Sequence, residues 1–376
     1  MSGKTRWQTL GLLTLAGLCF AGCLMVHIAV NATAIADHHR AFADHAGLFF
    51  SRALLDHPAF WRSIEFTLRA LLLAVATLLI EIACVGWAGS SARALLQLGS
   101  FARRDAVYTL LSAVLGISAL SAVSSFGVTY AVASFVHRID TPALIRLLPW
   151  AALQLIVLML GRSFIIYWQH RLAHFIPFLW EFHKFHHSAT EMTALNDFRN
   201  TPLTIAMNGS VVLVYAQLAG SVGGPNQGIA ATIAAALYLV SLSAIELNAH
   251  MVHSKWNTDY GWLGKYILAS PNYHFVHHSA LPAHRDKNFS TDFVIWDWLF
   301  GTRVECVTKQ DRQNVPLGFD NNPYNFNAPI RDYLLQPVID AAHCVARAFK
   351  PSFMRSAMRP PKSAGEPSDE PKLAAQ

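Results

Sequence analysis

The chain has 376 residues, 53% of them hydrophobic and 14% charged, with a formal net charge of +6. Soluble domains carry about a quarter charged residues, so this composition excludes an ordinary soluble protein and points to a chain that faces lipid. The segment after Asn248 holds 14 of the 29 Lys and Arg but also 12 of the 23 Asp and Glu, so the basic excess is spread along the chain. In so apolar a chain it suits anionic lipid headgroups and gives no reason to expect nucleic acid.

The first apolar run covers about residues 10–34 and follows Lys4 and Arg6. It is long for a signal peptide and lacks a clear small-residue cleavage site, so a retained transmembrane helix acting as a signal anchor is expected. Further runs fall at about 70–87, 106–136, 143–168, 203–222 and 228–248. Each is long enough to cross a ~30 Å hydrocarbon core. Six spans put both termini on one side. Ser221–Gln227 carries no charge, whereas Arg171, Lys184 and Arg199 lie in 169–202 and many Lys and Arg follow Asn248. The positive-inside rule then makes both termini and these two segments cytoplasmic, with Arg40, Arg52 and Arg62 counting against it. The fold expected is an all-α polytopic membrane helix bundle with a cytoplasmic, helical, histidine-rich metal-binding cap. Residues 351–376, rich in Pro, Ser and charge, are expected to be disordered.

Five cysteines, Cys19, Cys23, Cys84, Cys306 and Cys344, form no C-x-x-C pair, which removes a zinc ribbon and a disulfide framework. Histidine is the unusual residue: eleven of the 18 lie between His170 and His284. His170 and His174 form H-x-x-x-H. His183, His186 and His187 form H-x-x-H-H. His250 and His253 follow, and His274, His277 and His278 repeat H-x-x-H-H. Residues three or four apart share a helix face, ~5–6 Å between Cβ atoms, so these spacings aim two or three imidazoles at one point. Imidazole suits iron, zinc, copper and nickel. Eight or nine such ligands exceed one ion and fit two, and neutral ligands call for a bridging oxide, hydroxide or water. The first two groups follow the fourth span and the last two follow the sixth, so all four fall on one side of the membrane. Lone histidines such as His27, His57 and His343 are better read as ordinary polar residues.

The stretches HRLAHFIPFLWEFHKFHHSATEMTAL and ASPNYHFVHHSALPAHRDKNFSTDFVIWDWLFGT, within about residues 158–302, resemble the fatty acid hydroxylase / sterol desaturase family of integral membrane di-iron enzymes. The resemblance implies that His170, His174, His183, His186, His187, His274, His277 and His278 bind metal. It also implies a ligand between the clusters, for which His253 is the better match and His250, one turn earlier, the substitute or supporting group. His284 and Asp197 are further candidates to ligate or to orient a ligand. The cofactors implied are two iron ions, with zinc able to replace them during purification. The partners implied are a membrane lipid, O₂ and an external electron donor, a ferredoxin or a b-type cytochrome with its reductase. No nucleotide fingerprint and no haem or iron–sulfur cysteine set supplies electrons within the chain. The activity implied is O₂-dependent hydroxylation of a lipid, with desaturation as its variant. Where relatives often have Arg-x-His-Pro, this chain has Arg199-Asn200-Thr201-Pro202.

The expected organisation is an N-terminal transmembrane region, 1–140; a catalytic domain, 141–305; a C-terminal cytoplasmic segment, 306–350; and the tail. Glu246 is costly in lipid and should face the bundle interior or the metals, and Glu81 carries the same cost. Asp292 and Asp297 should pair locally. Trp256, Trp262, Tyr266, Trp296 and Trp298 fit an interfacial aromatic belt. A histidine-rich metal transporter would place its ligands inside the spans, and a membrane zinc hydrolase would show H-E-x-x-H; neither pattern is present.

Overall fold

The structure is a computed structural model and describes residues 3–31, 58–97, 102–108, 151–205, 229–305, 310–319 and 330–348, with single positions between them. The expected spans at 106–136 and 203–222 lie largely outside the described residues, as does the tail. The described residues are helical, with two isolated antiparallel bridges, Leu268 with Phe293 and Ser279 with Leu317, and no strand.

Four long apolar helices make the bundle: α1 (Gly3–Asn31), α2 (Pro58–Gly89), α4 (Ala151–Phe175) and α6 (Ile229–Met251). A short α3 (Ser91–Leu96) follows α2. Arg6–Val26, Leu68–Gly89 and Ala152–Phe175 are long and apolar enough to cross a membrane, which makes this a membrane protein. Their outward side chains are apolar: Leu10, Leu18 and Met25 on α1, Leu68, Leu71 and Val75 on α2, and Ile156, Val157 and Phe164 on α4 are exposed. In water such surfaces would aggregate; in lipid they are the solvated face. α1 lies along α2, and α6 packs against α1, α2 and α4. Inside this packing Arg69 of α2 meets Glu246 of α6 at 2.6 Å and Glu65 at 3.7 Å. The costly Glu246 therefore faces the bundle interior, against an arginine and not against the histidines.

The remaining helices are short. α5 (Pro177–His187) starts two residues after α4, with Pro177 at its first position where no backbone N–H is needed. α7 (Trp262–Tyr266), α8 (Pro271–His277) and α9 (Ile295–Leu299) follow α6. α8 also starts on proline, and the Ser270 hydroxyl caps it by accepting from Tyr273 N–H. α10 (Ile330–Ala348) packs on α5, with Lys184 Nζ 2.7 Å from Asp340.

Candidate metal centre

The two H-x-x-H-H motifs sit on α5 and α8, and each divides its histidines between two groups. Among the described residues, one group contains His170, His174, His183, His187 and His277, and the other His186, His253, His274 and His278. In each group the ligand atoms lie within 4.8 Å of one another. Helical geometry makes the division possible. Residues i and i+4 are ~40° apart around the axis and i+3 lies on the other side of i, ~60° away. So His183 and His187 turn one way and His186 the other. On α8, His274 and His278 turn together and His277 crosses to the first group. His170 and His174, again i and i+4, come from the last two turns of α4, which continues unbroken to Phe175. His253 comes from the turn after α6, where its N–H bonds the carbonyl of His250. The groups touch, with the rings of His187 and His278 stacked at 4.5 Å.

The nitrogens of these rings have assigned directions. His170 Nδ1–H donates to the Phe289 carbonyl at 2.6 Å, His277 to Lys287 at 2.8 Å and His253 to Ala249 at 2.9 Å. A neutral imidazole donating from Nδ1 keeps a lone pair on Nε2. Among the described residues, buried Nε2 of His170 and of His277 finds no hydrogen-bond partner. In the first group Nε2 of His187 lies 3.1 Å from Nε2 of both His174 and His183. In the second, Nε2 of His253 lies 2.9 Å from His274 and 3.3 Å from His186, and His278 lies 3.0 Å from His274. Nitrogens bound to one ion at ~2.0–2.1 Å and about 90–110° apart sit roughly 3 Å from one another. Lone pairs aimed together at this distance repel unless a cation lies between them. The donor set therefore fits a metal in each group.

Burial and the neighbouring imidazoles hold His183, His186, His187, His274, His277 and His278 well below the usual histidine pKa of 6.5. They are neutral at pH 7, the form that binds metal. The carboxylates stand behind the rings. Asp197 Oδ2 lies 2.6 Å from His250 Nδ1, and Oδ1 lies 3.5 Å from His253 Nδ1. Burial would raise the Asp197 pKa, but the facing imidazoles take it down to about 2. Asp286 lies 3.4 Å from His174 Nδ1, and that contact lowers its pKa. A carboxylate or carbonyl behind the ring fixes its orientation and makes the ligand more basic.

Residues 155–302 match the family model described as fatty acid hydroxylase. That segment, about two fifths of the chain, is similar to the fatty acid hydroxylase family. The chain is similar to the alkylglycerol monooxygenase of Xenopus tropicalis, 29% identical over 57% of this chain and 42% of the relative. The human alkylglycerol monooxygenase is 29% identical over 46% of this chain and 34% of the relative. An ornithine lipid hydroxylase of Rhizobium tropici is 28% identical over 40% of this chain and 42% of its own length. The chain thus matches between about a third and two fifths of the length of these curated relatives. No solved structure matches the chain.

Within the matched segment, His250 and His284 stand outside both groups. His250 stacks on Phe198 at 5.0 Å and meets Asp197, so it helps to hold that carboxylate. His284 Nδ1 bonds Ser279 Oγ at 2.9 Å. Thr201 accepts from Thr204 N–H at 3.3 Å and caps the helical residues that follow.

Several contributors carry no metal-ligand signature in the sequence. The carbonyls of Lys287 and Phe289 come from the D-K-N-F segment, where Asp286 and Asn288 have positive φ. Asp297 of α9 makes that segment rigid. Its fully buried carboxylate accepts from Phe289 N–H, Ser290 N–H, Tyr273 O–H and Thr302 O–H at 2.6–2.9 Å. The specific run of residues ending in W-D-W-L-F-G-T was the only available pointer. Asp292 pairs with Arg162 of α4 at 2.9 Å. Arg199 is fully buried, pairs with Asp105, and lies over the Phe185 ring at 4.6 Å. Residues 102–108, before the matched segment, thus pack beneath α5, where Tyr108 also meets Phe185 at 4.6 Å.

Proposed function

We propose that the nine histidines of the two groups hold two metal ions, iron in the working enzyme, and that the chain hydroxylates a membrane lipid. The observation that carries this reading is the convergence of Nε2 lone pairs into a five-nitrogen and a four-nitrogen group in contact with each other. Bound iron would supply the O₂ and one-electron chemistry that side chains lack. The balance is a C–H bond, O₂, two electrons and two protons giving an alcohol and water. The electrons come from an external donor, a ferredoxin or a b-type cytochrome with its reductase. The monooxygenase and hydroxylase relatives support a lipid substrate with a polar head near the membrane surface.

The chain's own residues supply orientation and dryness. The carbonyls of Phe289, Lys287 and Ala249 present His170, His277 and His253 lone pair inward. His174 lies at the end of a helix long and apolar enough to cross the membrane, which supports a centre near the membrane surface that a lipid enters sideways. Both termini and the histidines are assigned to the cytoplasmic side by the distribution of Lys and Arg. The catalytic domain is assigned to 141–305, between the N-terminal membrane region 1–140 and the C-terminal segment 306–350.

Comparing membrane lipids from cells with the protein, without it, and with His277→Ala tests this. A lipid that gains 16 mass units only with the intact protein and O₂ is the result expected. A substrate losing two mass units would assign desaturation instead. A profile indifferent to both protein and variant would refute oxidation of lipid.

A further inference from the structure

Two buried groups outside the matched segment converge on the backbone just after His253. Glu81, near the end of α2, is 0% exposed. Its carboxylate accepts from Ser91 N–H at 2.6 Å, Ser91 O–H at 2.9 Å and Lys255 N–H at 2.5 Å. Ser91 Oγ in turn accepts from Ala194 N–H at 3.0 Å, three residues before Asp197. Arg312 approaches the same backbone. Its guanidinium donates to the carbonyls of Ser254 and Trp256, both at 3.1 Å, and to Asn272 Oδ1 at 2.7 Å. Asn272 is the second residue of α8, two before His274.

The 254–256 backbone is therefore gripped through its N–H by Glu81 and through its two flanking carbonyls by Arg312. The grip extends to Asp197, which faces His253, and to α8, which carries His274. His253 and His274 are neighbours in the four-histidine group, Nε2 to Nε2 at 2.9 Å.

We propose that Glu81 and Arg312 are positioning residues for the four-histidine group, setting the backbone that aims His253 and so the metal affinity of that group. The proposal rests on the two-metal reading above. An unsupported N–H or carbonyl here would leave buried polar groups unmet, and the backbone would shift to satisfy them. A shift of a few tenths of an ångström at His253 is enough to spoil a coordination shell whose bond lengths vary by ±0.2 Å.

The test uses the full chain in detergent, stripped of metal and titrated with Co²⁺ alone, followed by visible absorption. The parent is expected to take two equivalents. In Glu81→Gln and Arg312→Gln, one equivalent should bind ~10-fold or more weakly while the other stays within about two-fold of the parent, as expected for lost support behind one ligand set. Thermal midpoints of the metal-free proteins are recorded alongside. Should either variant not fold, Arg312→Lys keeps the charge but cannot reach all three acceptors, and carries the same expectation. Equal weakening of both equivalents, or unchanged binding of both, overturns the positioning role. A parent that takes up no cobalt overturns the two-metal reading itself.

Discussion

Asp297→Asn isolates the support behind the five-histidine group with almost no change in volume. The carboxylate meets two donors at each oxygen: Phe289 N–H and Thr302 O–H at Oδ1, Tyr273 O–H and Ser290 N–H at Oδ2. An amide nitrogen in place of either oxygen leaves one backbone N–H, of Phe289 or Ser290, facing a donor, while the hydroxyl at that oxygen can turn to accept. A buried donor left unmet costs ~1–3 kcal/mol, at or above the ~1 kcal/mol of a typical substitution. The same change frees the segment whose carbonyls hold His170 and His277, and weakened support of this kind costs ~10–100-fold in metal affinity. The assay is the fraction of detergent-solubilised protein that stays monodisperse after stepwise heating, with cobalt titration on the surviving material. A variant with the parent's midpoint and the parent's affinity at both sites would refute the account of Asp297.

Other substitutions separate orientation from packing. Asp197→Asn removes the carboxylate facing His253 and His250; cobalt affinity of the four-histidine group should fall ~10-fold with little change in thermal midpoint. Glu246→Gln takes away the 2.6 Å ion pair of Arg69 inside the bundle and should cost about 3 kcal/mol of stability while leaving both cobalt equivalents in place. The pH dependence has a defined sign. Histidines whose folded pKa lies well below 6.5 give stability that is complete above pH 6.5 and lost as pH falls below it, because the unfolded chain takes up protons that the folded one refuses. The metal-free protein should lose about 1.4 kcal/mol per pH unit for each such histidine. A midpoint unchanged between pH 7.5 and 5.5, on the scale set by that slope, would show that the rings are not buried neutral.

Much was legible from residue order alone, because its causes are local. Apolar runs report lipid contact wherever they occur, and α1, α2, α4 and α6 coincide with four of the six expected runs. The nine histidines expected at the metals are the nine that converge, since i, i+3 and i+4 spacing needs only a helix to act. Tertiary structure decided how they are shared. Spacing says that His183, His186 and His187 lie on one side of α5; only the positions of α4 and α8 determine that His186 parts from its neighbours and His277 from its own. His253 joins the four-histidine group and His250 does not for the same reason: the chain leaves the helical path after Met251, and the turn carries one ring toward α8 while the other stays on Phe198. The supporting groups were the least visible. In the sequence Glu81 and Asp297 stand out only as charges that need partners, and Arg312 and the carbonyls of Lys287 and Phe289 not at all, because all of them act through contacts between segments distant in sequence.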